Sequence, residues 1–446
     1  MKNRHLLIIA LAFAAISLPG QGKAQHNFNI PFSQYGIGLS DMPYNMPTAF
    51  GMGGTVYARA ARNSINPFNP ASYAAVETES FVFDIGLNIQ TSVLRKDVNR
   101  LTDADGNLAY ITVAFPITQW WKTSAGLLPY SKSNYESVQT KSDPAGLGNV
   151  KTIYAGHGGV SQLYWGNGFN IGERLSLGFN VDFLYGNITR AITYEFPGND
   201  TTFYVNSRRQ KNTYVRNLLF DLGAQYTQPL GSKYTMRLGV TCRVPRTMQV
   251  QDQSLCYTFH RQTSMEYLFD TIFPARGESD TYNSTLIQPF TIGAGLAFER
   301  NERWEIDIDG YYSPYSGVDY REDPSYNLFG STAFRSAPNY RFAVGGEWKG
   351  NPGAVTYWGR IGITAGVYHS HGILTLQTVS ATDPVSINET GCGLGIRLPM
   401  RKGRSILTLS VGYSSLGTAD LLRRDVVTFG ISVGSCERWF VKRKYN

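Results

Sequence analysis

Phe81-Val82-Phe83-Asp84-Ile85-Gly86-Leu87-Asn88-Ile89-Gln90 carries an apolar residue at every odd position, with polar or small residues (Val82 excepted) between them. Leu175, Leu177, Phe179, Val181 and Phe183 alternate with Ser176, Gly178, Asn180 and Asp182 in the same way. Side chains point alternately to the two faces of a strand, so each segment has one apolar face and one polar, glycine-rich face. The pattern recurs from about Ser80 to the C-terminus in segments of roughly ten residues, the length that crosses a bilayer as a tilted strand. The connections alternate between short and long. These features predict an all-β fold: a transmembrane antiparallel β-barrel, apolar outside and polar inside.

Fourteen strands are expected, starting near Phe81, Leu108, Trp121, Thr152, Arg174, Asn217, Lys233, Thr285, Glu302, Asn339, Thr356, Ile387, Arg404 and Asp425. Asp200 to Lys211, Met248 to Tyr282 and Pro314 to Pro338 read as long loops. Thr118-Gln119, Gly172-Glu173, Gly231-Ser232 and Asn301 read as short turns. An even strand number puts both barrel ends on the short-turn, periplasmic rim and the long loops outside. The last strand, with Val427, Phe429, Ile431 and Val433 alternating, runs into Trp439-Phe440-Val441-Lys442-Arg443-Lys444. A terminal aromatic after such a strand suits recognition by barrel-assembly machinery during biogenesis.

The N-terminus reads as an export signal. Lys2 and Arg4 precede an apolar run from Leu6 to Leu18, and Gly22-Lys23-Ala24 supplies small residues for cleavage after Ala24. The expected organisation is a signal peptide (1–24), a plug or hatch (25–79) and a barrel (80–446), in the outer membrane of a Gram-negative bacterium. Past the leader, no apolar run reaches the length of a helical span, and a closed barrel satisfies every backbone polar group in lipid. Lys+Arg number 41 against 33 Asp+Glu, and loss of Lys2, Arg4 and Lys23 reduces the formal charge of +8 to a mature excess of about five. No basic cluster interleaves with aromatics, so nucleic acid is not an expected partner. The 28 Tyr, 24 Phe and 7 Trp suit interfacial girdles. Cys242, Cys256, Cys392 and Cys436 lack metal-ligand spacing. A bridge between Cys242 and Cys256, left open by the sequence, would tie a strand end to its loop, whereas Cys392 and Cys436 read as small apolar residues.

Residues 25–79 differ from the rest. Pro31, Pro43, Pro47, Pro67 and Pro70 with Gly36, Gly38, Gly51, Gly53 and Gly54 prevent regular strands. A solvated tail is one reading. Yet Phe32, Tyr35, Ile37, Met42, Tyr44, Met46, Phe50, Met52 and Tyr57 are many apolar side chains for a solvated segment. Packing inside the barrel lumen would bury them.

The chain resembles the FadL-type superfamily of outer-membrane channels for hydrophobic compounds, in one of its branches. The resemblance rests on Ser33-Gln34-Tyr35-Gly36-Ile37-Gly38, Gly51-Met52-Gly53-Gly54 and Ile65-Asn66-Pro67-Phe68-Asn69-Pro70-Ala71-Ser72-Tyr73. It extends through Gly126-Leu127-Leu128-Pro129-Tyr130-Ser131, Phe342-Ala343-Val344-Gly345-Gly346-Glu347 and the Arg438-to-Lys444 tail. Asn69, Pro70 and Ala71 match the family's motif where plug meets first strand. The resemblance implies fourteen strands, an N-terminal hatch and passive movement of small hydrophobic molecules, fatty-acid-like or aromatic, with lateral release into the membrane lipid. This segment is longer and richer in proline than the family's usual hatch. Some relatives handle proteins, so the alternative is a barrel that docks a protein partner on its long outer loops.

Strand parity points Tyr164, Leu184, Leu219, Tyr311, Trp358 and Tyr368 inward, where with Phe32 and Tyr35 they form a candidate ligand pocket or pack against the plug. Pro129 cannot donate to a ladder and predicts a bulge or interruption, a candidate lateral gate. Glu305, Asp307 and Asp309 share one face of a strand and are expected to pair across the lumen wall with Arg341, Arg360 and Arg397. Catalysis is a weaker reading. His157-Gly158-Gly159 with Ser161 lacks a nucleophile elbow, and His369 with His371 lacks a third ligand, so no enzyme activity, metal or cofactor is expected.

Overall fold

The computed structural model describes residues 29–34, 36–40, 46–96, 99–143, 148–196, 204–262, 265–272, 281–300, 303–314, 319–321, 338–351, 353–376, 385–400, 404–418 and 422–438. The expected export signal (residues 1–24), Tyr35 and the Trp439-to-Lys444 tail lie outside the described residues.

A short strand in the N-terminal segment, β1 (Leu39–Ser40), precedes the wall. The wall begins with β2 (Ser80–Lys96), β3 (Asn99–Pro116), β4 (Trp121–Lys132), β5 (Tyr135–Asp143), β6 (Gly148–Ile171), β7 (Leu175–Glu195) and β8 (Asn206–Leu230). It continues with β9 (Tyr234–Arg243), β10 (Arg246–Gln262), β11 (Met265–Ile272), β12 (Thr281–Gln288), β13 (Thr291–Arg300), β14 (Trp304–Ser313) and β15 (Asp319–Arg321). It ends with β16 (Asn339–Trp348), β17 (Gly362–Leu376), β18 (Val385–Met400), β19 (Ser405–Thr418) and β20 (Leu422–Arg438). β4 with β5, β9 with β10, β11 with β12 and β13, and β14 with β15 are single wall strands, each made of more than one segment. Among the described residues the wall therefore has fourteen strands, as expected. Neighbours pair antiparallel, and β2 pairs β20 from Ser80↔Arg438 to Arg95↔Arg423, which closes the barrel and removes its edges.

The two faces invert the order of a soluble core. On β14 and β16, Ile306, Ile308, Phe342 and Val344 are exposed, whereas Asp307, Asp309, Arg341 and Glu347 are buried. Apolar side chains facing outward and polar ones facing inward is the arrangement that lipid demands. Among the described residues no helix is long and apolar enough to cross a membrane.

Several sequence expectations change. Met248 to Tyr282 is no loop: β10 and β11 occupy most of it, because the ladder continues past the membrane-crossing length. β8 and β3 likewise start eleven and nine residues before Asn217 and Leu108. β17 begins at Gly362 rather than Thr356, because a turn closed by the short helical residues Trp358–Arg360 intervenes. Trp358 therefore lies outside the strand and is 81% exposed, not inward-facing. All four cysteines are free, so Cys242 and Cys256 are not bridged; Cys392 is exposed and Cys436 buried.

Candidate functional site

Residues 46–76 run along the inside of the wall, and the inward glycines explain how. A Cβ at Gly430 would meet Pro47, at Gly393 the Phe50 backbone, and at Gly345 or Gly366 the Met52 backbone. Further round, Gly239 and Gly295 face Tyr57 and Ala58, while Gly178 and Gly223 face Asn69 and Pro70. Backbone lies on backbone around most of the barrel's circumference, at a distance that only glycine permits. Asn69-Pro70-Ala71 owes its composition to the same packing. Asn69 caps the short helix Pro70–Ala75, accepting from the Ala71 amide at 3.1 Å and donating to the Tyr57 carbonyl at 2.5 Å. Proline suits the first helical position, where no N–H is needed.

Polar side chains tie this segment down. Asp309 accepts from the amides of Val56 (2.5 Å) and Tyr57 (3.0 Å), and Arg341 donates to the Gly53 carbonyl (2.6 Å). Arg59 reaches Glu347 at 2.9 Å and Asp307 at 3.7 Å, and Glu347 also pairs with Arg397. Glu305 takes Lys349 (2.5 Å) and Arg237 (3.8 Å). Tyr73 donates to Asn180 at 3.1 Å, and Lys122 donates to the Ala74 carbonyl at 2.6 Å. Burial works against the Arg59 charge, but Glu347, Glu305 and Asp307 outweigh it and hold the guanidinium above its ordinary value. The carboxylates of β14 thus bind the N-terminal segment as well as the wall. Arg360 sits apart, in the turn after β16, stacked over Tyr357 at 5.5 Å. Sequence reasoning missed Arg59, Glu347, Lys349, Arg237 and Glu299. Glu347 shares inward parity with Arg341, so that one was available to it.

The candidate pocket residues do not converge. Tyr164 stacks on Tyr73 with ring centroids 6.3 Å apart and hydrogen-bonds Ser124 at 2.8 Å. Tyr368 packs with Phe50 and Ala343 and donates to Glu389 at 2.9 Å. Leu184 and Leu219 belong to a third cluster, with Ile37, Tyr130, Val160, Ile188, Val215, Met248, Val250 and Leu286, all buried. Tyr311 is half-buried on β14, and Phe32 is buried in the N-terminal segment.

Pro129 does mark an irregularity. The β4–β6 register shifts between Pro129 and Ser131, and Tyr130 turns into the apolar cluster. On its other edge β4 pairs β3 only from Ile111↔Leu127 to Pro116↔Lys122. Beyond that height β3 continues on β2 alone, and β4 and β5 continue on β6 alone. The vacated edge is taken by the N-terminal segment: Leu39 and Ser40 pair with Lys132 and Ser131. Ile30 donates to the Asn134 carbonyl at 2.7 Å, and Ser131 donates to that of Ile37 at 2.8 Å. Asn29 bridges Asp103 (3.3 Å) and Glu136 (2.6 Å), and Lys132 pairs with Asp105 at 3.2 Å. The wall thus has a seam between β3 and β4 held by side chains and a strap rather than by a ladder.

A closed fourteen-strand antiparallel barrel with a segment folded along its inner wall is the fold of the FadL-type barrels. The chain belongs to the BamG family, whose model matches residues 2–446. Among solved structures it is similar to the CymD monoaromatic hydrocarbon channel: 12% identity, TM-score 0.53, covering 90% of this chain and 98% of that one. It is similar to a Pseudomonas aeruginosa FadL homologue at 13% identity and TM-score 0.55, covering 90% and 100%. The Pseudomonas putida toluene transporter TodX gives 13% and 0.53, covering 90% and 99%. Such identities establish a common fold. No curated protein matches the chain.

Proposed function

We propose that the protein is an outer-membrane channel that binds and passes small hydrophobic molecules, with residues 25–79 as its plug and the β3–β4 seam as a lateral exit. The observation that carries this reading is the coincidence of the seam with the apolar cluster. Tyr130, at the Pro129 bulge, and Ile37, just before β1, belong to both. An apolar molecule gains nothing by entering the periplasm, so release sideways into lipid is the downhill path. Transport of hydrocarbons by proteins of the same fold supports the reading. The Asn29-to-Ser40 strap is the moving part, because a few hydrogen bonds hold it where a ladder would otherwise run. Native mass spectrometry of protein extracted from its own membrane in mild detergent tests this. A retained apolar molecule that is lost in Leu184→Trp or Leu219→Trp supports the channel, and an empty barrel carrying a stoichiometric protein contradicts it.

A second reading, a barrel that docks a protein partner, draws on the family's name, which is that of barrel-assembly machinery. It also draws on strand length. β6, β7 and β8 run 24, 21 and 25 residues, where about ten suffice to cross lipid. With a rise of about 3.4 Å per residue, β6 is about 80 Å long, so a sheet stands well clear of the membrane on the long-loop side.

A further inference from the structure

We propose that the short-turn mouth of the barrel is a binding site for an acidic polypeptide segment. The mouth holds a cavity of about 1160 Å³, bounded by residues of the N-terminal segment and by the turns after β6, β8, β16 and β18. That is larger than a small-ligand pocket, and fourteen of the forty residues that line it are charged. Nine arginine and lysine side chains line it against five glutamates. Three of the glutamates, Glu299, Glu305 and Glu347, already form ion pairs with Arg59, Arg237, Lys349 and Arg397.

Among the described residues, Arg62, Arg174, Arg360 and Arg404 pair with no carboxylate. Arg62, Arg174 and Arg404 are exposed, and Arg174 donates only to Gln228, at 3.3 Å. Arg360 has its guanidinium over Tyr357 while its Nε is buried without a hydrogen-bond partner. A buried N–H with no acceptor in a cation-rich cavity asks for a carboxylate from elsewhere. The cavity is lined by the short turns of one rim and by the N-terminal segment, so it lies at the end of the barrel, within reach of a flexible chain approaching that rim. An extended segment rich in Asp and Glu matches the excess charge, and the planar guanidinium forks suit carboxylates.

The test uses the full-length protein in detergent and a fluorescein-labelled oligoglutamate, read by anisotropy, with oligolysine as the control peptide. The expected result is binding of oligoglutamate alone, weakened by salt and weakened about tenfold or more in the triple variant Arg62→Glu, Arg174→Glu, Arg404→Glu. All three positions are exposed, and heat-modifiable migration on gels verifies that the variant barrel is folded. Arg303→Glu, on the same rim but outside the cavity, is expected to bind as the parent does. Equal binding of the two peptides, an unaffected triple variant, or an equal loss in Arg303→Glu would overturn the proposal. So would anionic phospholipid vesicles binding in place of the peptide.

Discussion

Arg59 is the cation through which the N-terminal segment grips the wall, so Arg59→Met isolates the strength of that grip. Its side chain is 19% exposed, and its partners Asp307 and Glu347 are almost fully buried. Breaking a buried pair costs about 3–5 kcal/mol, because the remaining charge is left without a counterion. Glu347 keeps Arg397, so the loss should fall at the low end, about 3 kcal/mol. The cost belongs to docking of the segment rather than to closure of the barrel, whose ladder does not involve Arg59. Hydrogen exchange reads it directly, since the Val56 and Tyr57 amides donate to Asp309 only while the segment is docked. Opening should become about a hundredfold more frequent, and protection of those two amides should fall by the same factor. Protection of the β18–β20 amides should not change. In the double variant with Glu347→Gln the two losses should be less than additive, because each single change already removes the shared contact. Unchanged protection of Val56 and Tyr57, or strictly additive losses, would refute the latch.

Other consequences are more local. Gly366→Val puts side-chain atoms where the Met52 and Gly53 backbone lies, so it should displace the segment at a cost of about 1–3 kcal/mol and raise single-channel conductance in planar bilayers. Leu184→Ala, fully buried, should destabilise the apolar cluster by about 2–5 kcal/mol and lower the midpoint of thermal unfolding in detergent. Trp358→Ala should leave stability within about 0.5 kcal/mol and ligand retention unaltered, since the side chain is in an exposed turn. Phe342→Arg, on the exposed face of β16, should cost about 2–4 kcal/mol of folding into lipid vesicles if that face meets hydrocarbon.

The barrel was legible because its signal is local: a period of two, read off consecutive residues such as Phe81 to Gln90, decides which side meets lipid. Each of the fourteen expected strands has its counterpart in the wall, whereas their ends are less faithful. Met248 to Tyr282 reads as a loop by its polarity, yet β10 and β11 extend there in water, where nothing forces an apolar face. Trp358 was misplaced because its outward turn has the composition of a strand start. The Pro129 bulge follows from the missing N–H, but the seam beside it does not. Its cause is that β3 and β4 part company, a relation between strands that no single stretch records. The inward acids of β14 were readable by parity, while their partner Arg59 lies roughly 250 residues away and is brought near only by the path of the N-terminal segment.

The channel account stands or falls on the seam. In a variant carrying Asp105→Cys and Lys132→Cys, a short bis-methanethiosulfonate ties the two sides together, and reductant releases them. The parent contact of 3.2 Å places the pair within reach of such a linker. The decisive measurement is the rate at which a labelled monoaromatic compound enters the membrane of cells expressing this variant, before and after linking. The account predicts that linking abolishes protein-dependent entry and that reductant restores it. Entry that proceeds unchanged through the linked protein would contradict it.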